Sequence, residues 1–135
     1  MQIPGTPHVT RLTVRYCETD QMGFVHHSAY VLYLEAARVE HLKALGIPYH
    51  ELEAGGVLLP VIGLCLRYHK PACFGQDVSV LTRLSPVRGV RLVVEYEVSA
   101  ENKLLVTAST EHAFLGRNGK PLRPPEYVIR ALGKG

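Results

Sequence analysis

The sequence predicts an α+β domain in which an antiparallel sheet of about five strands wraps around one long helix. Three observations predict it. Ala29 to Leu45 runs without proline or glycine and is closed by Gly46 and Pro48, the punctuation of a helix end. One segment of period two precedes this helix and four more follow it. The first half of the helix, Tyr30-Val-Leu-Tyr-Leu-Glu-Ala-Ala, is apolar almost all the way round, and such a helix needs cover. A run of strands with one segregated helix is the α+β pattern, because an antiparallel sheet can bury one face against the helix and leave the other wet.

Taken in order, Val9 to Tyr16 alternates, with Leu12, Val14 and Tyr16 on one face and Arg11, Thr13 and Arg15 on the other. A loop of polar and small residues, Cys17 to Ser28, leads into the helix. The second half of the helix carries Arg38, Glu40, His41 and Lys43 and is expected to reach solvent. Glu35 and Arg38, three apart, are expected to pair. Ile47 to Ala54 adds a short helical turn that Gly55-Gly56 breaks. Leu58 to Tyr68 reads as a strand whose Pro60 and Gly63 imply an edge position or a bulge. Asp77 to Leu84, Val90 to Val98 and Lys103 to Leu115 complete the set, expected in hairpin succession. Gly75-Gln76, Arg88-Gly89, Glu101-Asn102 and Asn118-Gly119 are the turns.

The 135 residues suit a single domain, residues 1–135, able to bury roughly two thirds of its extended-chain surface. A net charge of +3 is compatible with a phosphorylated small molecule without demanding one. No run of Lys or Arg and no aromatic-rich basic stripe suggests a nucleic-acid partner. The three cysteines, Cys17, Cys65 and Cys73, are odd in number and lack Cys-x-x-Cys spacing, which reads as reduced thiols in a reducing compartment. Met1 to Pro7 has no secretory pattern, and no apolar stretch approaches the ~18 residues of a membrane span. The expectation is a cytoplasmic protein.

The chemistry concentrates in one stretch, Tyr16-Cys-Glu-Thr-Asp20-Gln-Met-Gly23-Phe-Val-His26-His27-Ser-Ala-Tyr30. An acid lies in a loop that ends at a helix N-terminus, with a glycine three residues later that can take a backbone conformation closed to other residues. A helix N-terminus offers unpaired N–H groups and a partial positive charge. Such donors can polarise a carbonyl and hold the charge that develops on its oxygen. An acid opposite them can act as base or nucleophile. Together they suit acyl transfer, whereas an aspartate before a helix is by itself commonly just a cap.

This stretch resembles the active-site loop of the 4-hydroxybenzoyl-CoA thioesterase-like hotdog enzymes. Their pattern runs Asp, two residues, Gly, hydrophobics, a His or aromatic, a Tyr, then Glu-x-x-Arg on the helix. Here it falls on Asp20, Gly23, Phe24-Val25, His26-His27, Tyr30 and Glu35 to Arg38. A looser second match is Tyr68-His-Lys-Pro71-Ala72-Cys-Phe-Gly75-Gln-Asp77, and the resemblance extends from Val14 to about Phe114. It implies the hotdog fold, paired into dimers and often tetramers, and hydrolysis of an acyl-CoA to free acid and CoA. It implies that Asp20 is the catalytic carboxylate, as nucleophile or general base, and that His27 holds the helix-start position whose N–H polarises the thioester. It implies a pantetheine tunnel between subunits, and neither metal nor cofactor.

Around these two, His26 and Gly23 are expected to shape the substrate site, and Tyr16, close to Asp20 in sequence, to line it. Lys70, Arg88 and Arg91 are candidate contacts for the CoA phosphates, because they sit at strand ends or in the Pro86-Val-Arg-Gly turn. The adjacent His26 and His27 point differently and have no third ligand, which argues against a metal pair. Cys17 is a weak nucleophile candidate because no helix N-terminus directly follows it. Two rival readings stand beside this one. A hotdog hydroxyacyl-thioester dehydratase is separated by an enoyl-thioester hydration assay. A non-catalytic acyl-binding or scaffold dimer is separated by a thiol-release assay.

Overall fold

The computed structural model describes residues 4 to 133, so the reading of Met1 to Pro7 lies partly outside the described residues. The elements are β1 (His8–Thr13), a 3-10 turn (Tyr16–Glu18), α1 (Ala29–Ala44), α2 (Tyr49–Ala54), β2 (Val61–Tyr68), β3 (Asp77–Leu84), β4 (Arg91–Ala100), β5 (Lys103–Ala113) and α3 (Glu126–Leu132). The strands form one antiparallel sheet in the order β1-β3-β4-β5-β2, the curved sheet and helix of the hotdog fold.

Hairpin succession holds for β3, β4 and β5 but not for β2. β3 lies between β1 and β4, so β2 crosses to the far edge and pairs with β5, Leu66 opposite Ala108. There the expected irregularity is present: Pro60 immediately precedes the strand, and the register shifts between Val61 and Gly63. The β4–β5 turn takes the two-residue form, with Glu101 at φ 51° and Asn102 at φ 62°, between the paired Ala100 and Lys103. Positive φ at both positions matches the twist of the strands it joins. β1 ends at Thr13 and not at Tyr16, because Val14 turns inward to exchange backbone bonds with Gly75 and Gln76 and the chain then enters the 3-10 turn.

The core lies between the sheet and α1. Val78, Val80, Leu84, Leu92, Val94, Tyr96 and Val98 face Tyr33, Leu34, Ala37 and Leu42 within one buried cluster. α1 packs chiefly on β1 and β3. Two expectations about α1 need correcting. Its first half is not enclosed: Val31 and Leu32 point outward, the latter 58% exposed. Its second half does not simply reach solvent, since Arg38 and His41 are buried.

The burial of Arg38 is possible because it has a partner on the sheet. It does not pair with Glu35, which faces solvent; no ion pair joins them among the described residues. The Arg38 guanidinium instead donates to the Tyr96 hydroxyl at 3.0 Å. From there a chain of bonds runs through Thr110 (2.6 Å) to His112 Nε2 (2.7 Å), and His112 Nδ1 meets the Leu59 carbonyl at 3.3 Å. Both ends fix its direction, because a guanidinium only donates and a carbonyl only accepts. Tyr96 therefore donates to Thr110, Thr110 donates to His112 Nε2, and the His112 proton sits on Nδ1.

Candidate active site

Asp20 lies in a closed turn. Its N–H donates to the Phe24 carbonyl at 2.7 Å, and Gly23 N–H returns to the Asp20 carbonyl at 3.1 Å. Gly23 stands at φ +82°, which an L side chain rarely adopts and which lets the turn close in so few residues. The Asp20 carboxylate is held by its own loop: Oδ1 accepts the N–H groups of Met22 (2.8 Å) and Phe24 (3.2 Å). Oδ2 has no partner among the described residues. One oxygen is committed to the loop and the other is open among the described residues.

The two sequence segments singled out above come together here. Val25 N–H donates to the Ala72 carbonyl at 2.8 Å and Phe74 N–H to the Gly23 carbonyl at 3.1 Å, so the Pro71–Phe74 stretch backs the Asp20 loop. Ala72 N–H donates to the buried Tyr30 hydroxyl at 3.1 Å, tying that stretch to the first turn of α1. Glu18 anchors the loop from the other side. Its carboxylate accepts the Tyr33 hydroxyl (2.8 Å), the Arg15 N–H (2.8 Å) and the Arg15 guanidinium (3.0 Å). Burial opposes its ionisation, but these hydrogen bonds outweigh it and hold the carboxyl below its ordinary value.

The entry to α1 is pinned just as closely. His26 N–H donates to the Glu18 carbonyl (2.8 Å), and the His26 carbonyl accepts Ala29 N–H (2.9 Å). His26 Nδ1 accepts the Ser28 N–H at 3.2 Å, which places the neutral ring's proton on Nε2. The Tyr68 hydroxyl donates to the His27 carbonyl at 2.9 Å. Among the described residues, the His27 N–H has no acceptor. The His27 ring makes no hydrogen bond among the described residues either and lies tilted by 33° against the His26 ring, centroids 4.2 Å apart.

Asp20, His26 and His27 border one cavity of about 380 Å³, completed by Phe24, Val25, Tyr30 and the run Tyr68, His69, Lys70 and Pro71. Its lining mixes apolar and polar groups, and both the Asp20 carboxylate and the positive end of a 16-residue helix border it. A cleft of about 420 Å³ at the other end of α1, beside Tyr49, has no part in this constellation.

Residues 14–132 match the model of a known family, the Thioesterase-like superfamily. The chain belongs to that superfamily. YneP of Bacillus subtilis is 33% identical over 120 residues, covering 86% of this chain and 87% of that one. The acyl-CoA thioester hydrolase YbgC of Escherichia coli O6:H1 is 34% identical over 93 residues, covering 68% and 69%. Among solved structures, the hypothetical protein TT1821 of Thermus thermophilus superposes with a TM-score of 0.89 at 47% identity, covering 94% and 95%. By family this thioesterase-like chain is a hydrolase.

Within this family frame the positions read from sequence separate into two groups. Asp20, His26, His27 and Lys70 border the cavity, and Gly23 shapes the turn that holds Asp20. Tyr16, Arg88 and Arg91 do not border it. Tyr16 is 77% exposed with its ring edge-on to Phe74; Arg88 lies in the β3–β4 turn, and Arg91 pairs with Glu111 across the sheet at 2.8 Å. Sequence reasoning passed over Tyr68, His69 and Glu18. The first two lie in the second family-like segment, which was the available signal for them. Nothing in the spacing of Glu18 distinguished it from a solvated loop acid.

Proposed function

We propose that this protein hydrolyses an acyl-CoA thioester to the free acid and CoA, with Asp20 as the reacting carboxylate and His27 N–H as the donor to the thioester carbonyl. One observation carries the reading: a carboxylate with one fixed and one open oxygen borders the same cavity as the residue whose backbone N–H is left open at a helix start. A thioester carbonyl at the mouth of α1 accepts that N–H, and the helix end favours the negative charge that grows on its oxygen. Asp20 Oδ2 then attacks the carbonyl carbon, or takes a proton from a water that does. In the first route the C–S bond breaks, CoA leaves as a thiolate that is protonated, and water cleaves the resulting anhydride. In the second, water adds directly and the C–S bond breaks from the tetrahedral adduct. Single-turnover hydrolysis in labelled water tests for the first route, since label enters the Asp20 side chain only through an anhydride that water opens at its aspartyl carbon.

Lys70 at the cavity rim suits a phosphate or pantetheine contact, as a point charge on a flexible stem. Arg88 and Arg91 would reach CoA only from another direction. The direct test is thiol release against a panel of short, aromatic and long acyl-CoAs. Turnover on at least one, with no hydration of enoyl thioesters, supports the reading; no thiol release across the panel removes it.

The active form is a homo-oligomer in this reading, a dimer or a pair of dimers. Among the described residues β2 is an edge strand with no partner on its outer side, and Val61, Ile62, Leu64 and Tyr68 along it are each 46–49% exposed. Val31 and Leu32 of α1 are uncovered as well. An open apolar edge of this kind calls for a second chain. Light scattering at micromolar concentration is expected to give at least a dimer, and Leu64→Glu is expected to shift it toward monomer. A wild-type chain that is monomeric throughout contradicts this part of the proposal and, with it, a tunnel between subunits. The chain's compartment is inferred, from its cysteine usage, to be the cytoplasm; among the described residues no helix is long and apolar enough to cross a membrane.

A further inference from the structure

His26 and His27 together present four polar backbone groups, and three of them are held. His26 N–H is held by Glu18, the His26 carbonyl by Ala29 N–H, and the His27 carbonyl by the Tyr68 hydroxyl. Among the described residues, only the His27 N–H of these four is left over. Two of the three holding bonds come from backbone within the loop and the first helical turn. The third comes from a side chain 41 residues away, at the last position of β2.

We propose that Tyr68 is a positioning residue for the reaction: its hydroxyl anchors the His27 carbonyl and, through the shared Cα, keeps the His27 N–H aimed at the substrate carbonyl. The inference rests on the thioester-hydrolase reading and deepens it. The geometry favours positioning over packing. The Tyr68 ring stands edge-on to Tyr30 at 5.6 Å, and Tyr30 is itself fixed through its hydroxyl to Ala72 N–H. The hydroxyl of Tyr68 is thus delivered to the His27 carbonyl by a ring whose own place is set by the first turn of α1. Without it, the 27–28 peptide keeps, among the described residues, only the Ser28 N–H bond to His26 Nδ1 at 3.2 Å, and residue 27 is held less firmly. The His27 N–H belongs to the 26–27 peptide, which Ala29 N–H holds through the His26 carbonyl, so what Tyr68 adds is a fixed Cα at residue 27; a shift of that Cα carries the N–H away from where a carbonyl oxygen sits. A misplaced donor lowers the rate more than the binding when its bond is made chiefly to the charge of the transition state. The bond also polarises the 27–28 peptide, in line with the start of the helix.

Tyr68→Phe keeps the ring and removes only the bond. The expected result on a good acyl-CoA substrate is a fall in kcat of about tenfold, with KM changed less than about threefold, the size of one misaligned hydrogen bond. Tyr68→Leu, which also removes the ring from the cavity wall, is expected to give the same loss in kcat and an added rise in KM. Thermal melting of Tyr68→Phe should stay at the wild-type value. A second readout needs no substrate: the amide resonances of His27 and Ser28 should shift and broaden in Tyr68→Phe while those of Val25 and Ala37 stay in place. Wild-type kcat in Tyr68→Phe, or a rise in KM alone, overturns the proposal and leaves the thioesterase reading intact. If the wild-type protein releases no thiol from any acyl-CoA, the thioesterase reading fails, and the amide resonances then decide alone whether Tyr68 holds the His27 peptide. Unmoved resonances overturn it.

Discussion

Asp20 commits one carboxylate oxygen to two N–H groups of its own loop, and this division is what a sequence motif cannot display. The motif locates the acid and the glycine; the fold decides which oxygen is open. Gly23 shows the cost of that arrangement. At φ +82° nothing lies within 4 Å of a Cβ placed there, so space is not the obstacle. The obstacle is the backbone, for which left-handed geometry in a non-glycine residue costs about 1–2 kcal/mol. Gly23→Ala is therefore expected to lower stability by about that amount in urea unfolding and to cut kcat more than it raises KM, since relaxing the strain moves Asp20. A fully active Gly23→Ala argues that the turn is scenery. Asp20, Gly23 and the histidine pair were legible in the sequence because they sit within eight residues of one another. Tyr68 and Glu18 were not, because their partners, the His27 carbonyl and the Tyr33 hydroxyl, are met only after the chain has folded.

The same limit governs the elements. All five strands and the long helix were legible from period and punctuation, with ends off by a few residues. What periodicity does not carry is which strand neighbours which, and β2 lies beside β5 because β3 has both edges occupied. Nor does it carry the inner side of α1. Arg38 and His41 read as solvent-facing on the helix, yet each is buried against a hydroxyl supplied by the sheet, Tyr96 and Thr82 respectively. These bonds set how α1 seats on the sheet and hence where its N-terminus, with the candidate site, comes to rest. Tyr96→Phe tests the link. It removes the donor to Thr110 and the acceptor of Arg38 at once, so a buried guanidinium loses its partner. The expected cost is about 1–3 kcal/mol, read as a lower urea midpoint at unchanged slope. An unchanged midpoint would mean that the chain of bonds from Arg38 to Leu59 contributes nothing net.

For the whole molecule, buried neutral histidines set the acid limit. Burial lowers His41 from 6.5 to about 4, helped by the nearby His8, and lowers His112 from 6.5 to about 4, helped by the Arg38 charge. The sign follows from linkage. The unfolded chain takes protons at these two sites near 6.5 while the folded chain refuses them until about 4, so unfolding takes up protons in that window. The stability they contribute is fully present above 6.5 and is lost as pH falls toward 4. Thermal melts at constant ionic strength are expected to show a melting temperature that drops steadily across this range, and His41→Gln should flatten the drop. A melting temperature constant over that window contradicts the burial of both rings as neutral species. The oxidation state of Cys17, Cys65 and Cys73 does not enter this balance, since all three are free thiols.

The central claim is that Asp20 reacts at the thioester, and Asp20→Asn tests it most directly. The amide keeps the size of the side chain and an oxygen able to accept the Met22 and Phe24 N–H groups, so the loop can persist while the charge is gone. With circular dichroism unchanged, kcat on the best acyl-CoA substrate is expected to fall by at least ~100-fold, the usual contribution of a general base or nucleophile, with KM nearly constant. Near-wild-type turnover in a correctly folded Asp20→Asn protein contradicts the account and turns attention to His27 and Cys17.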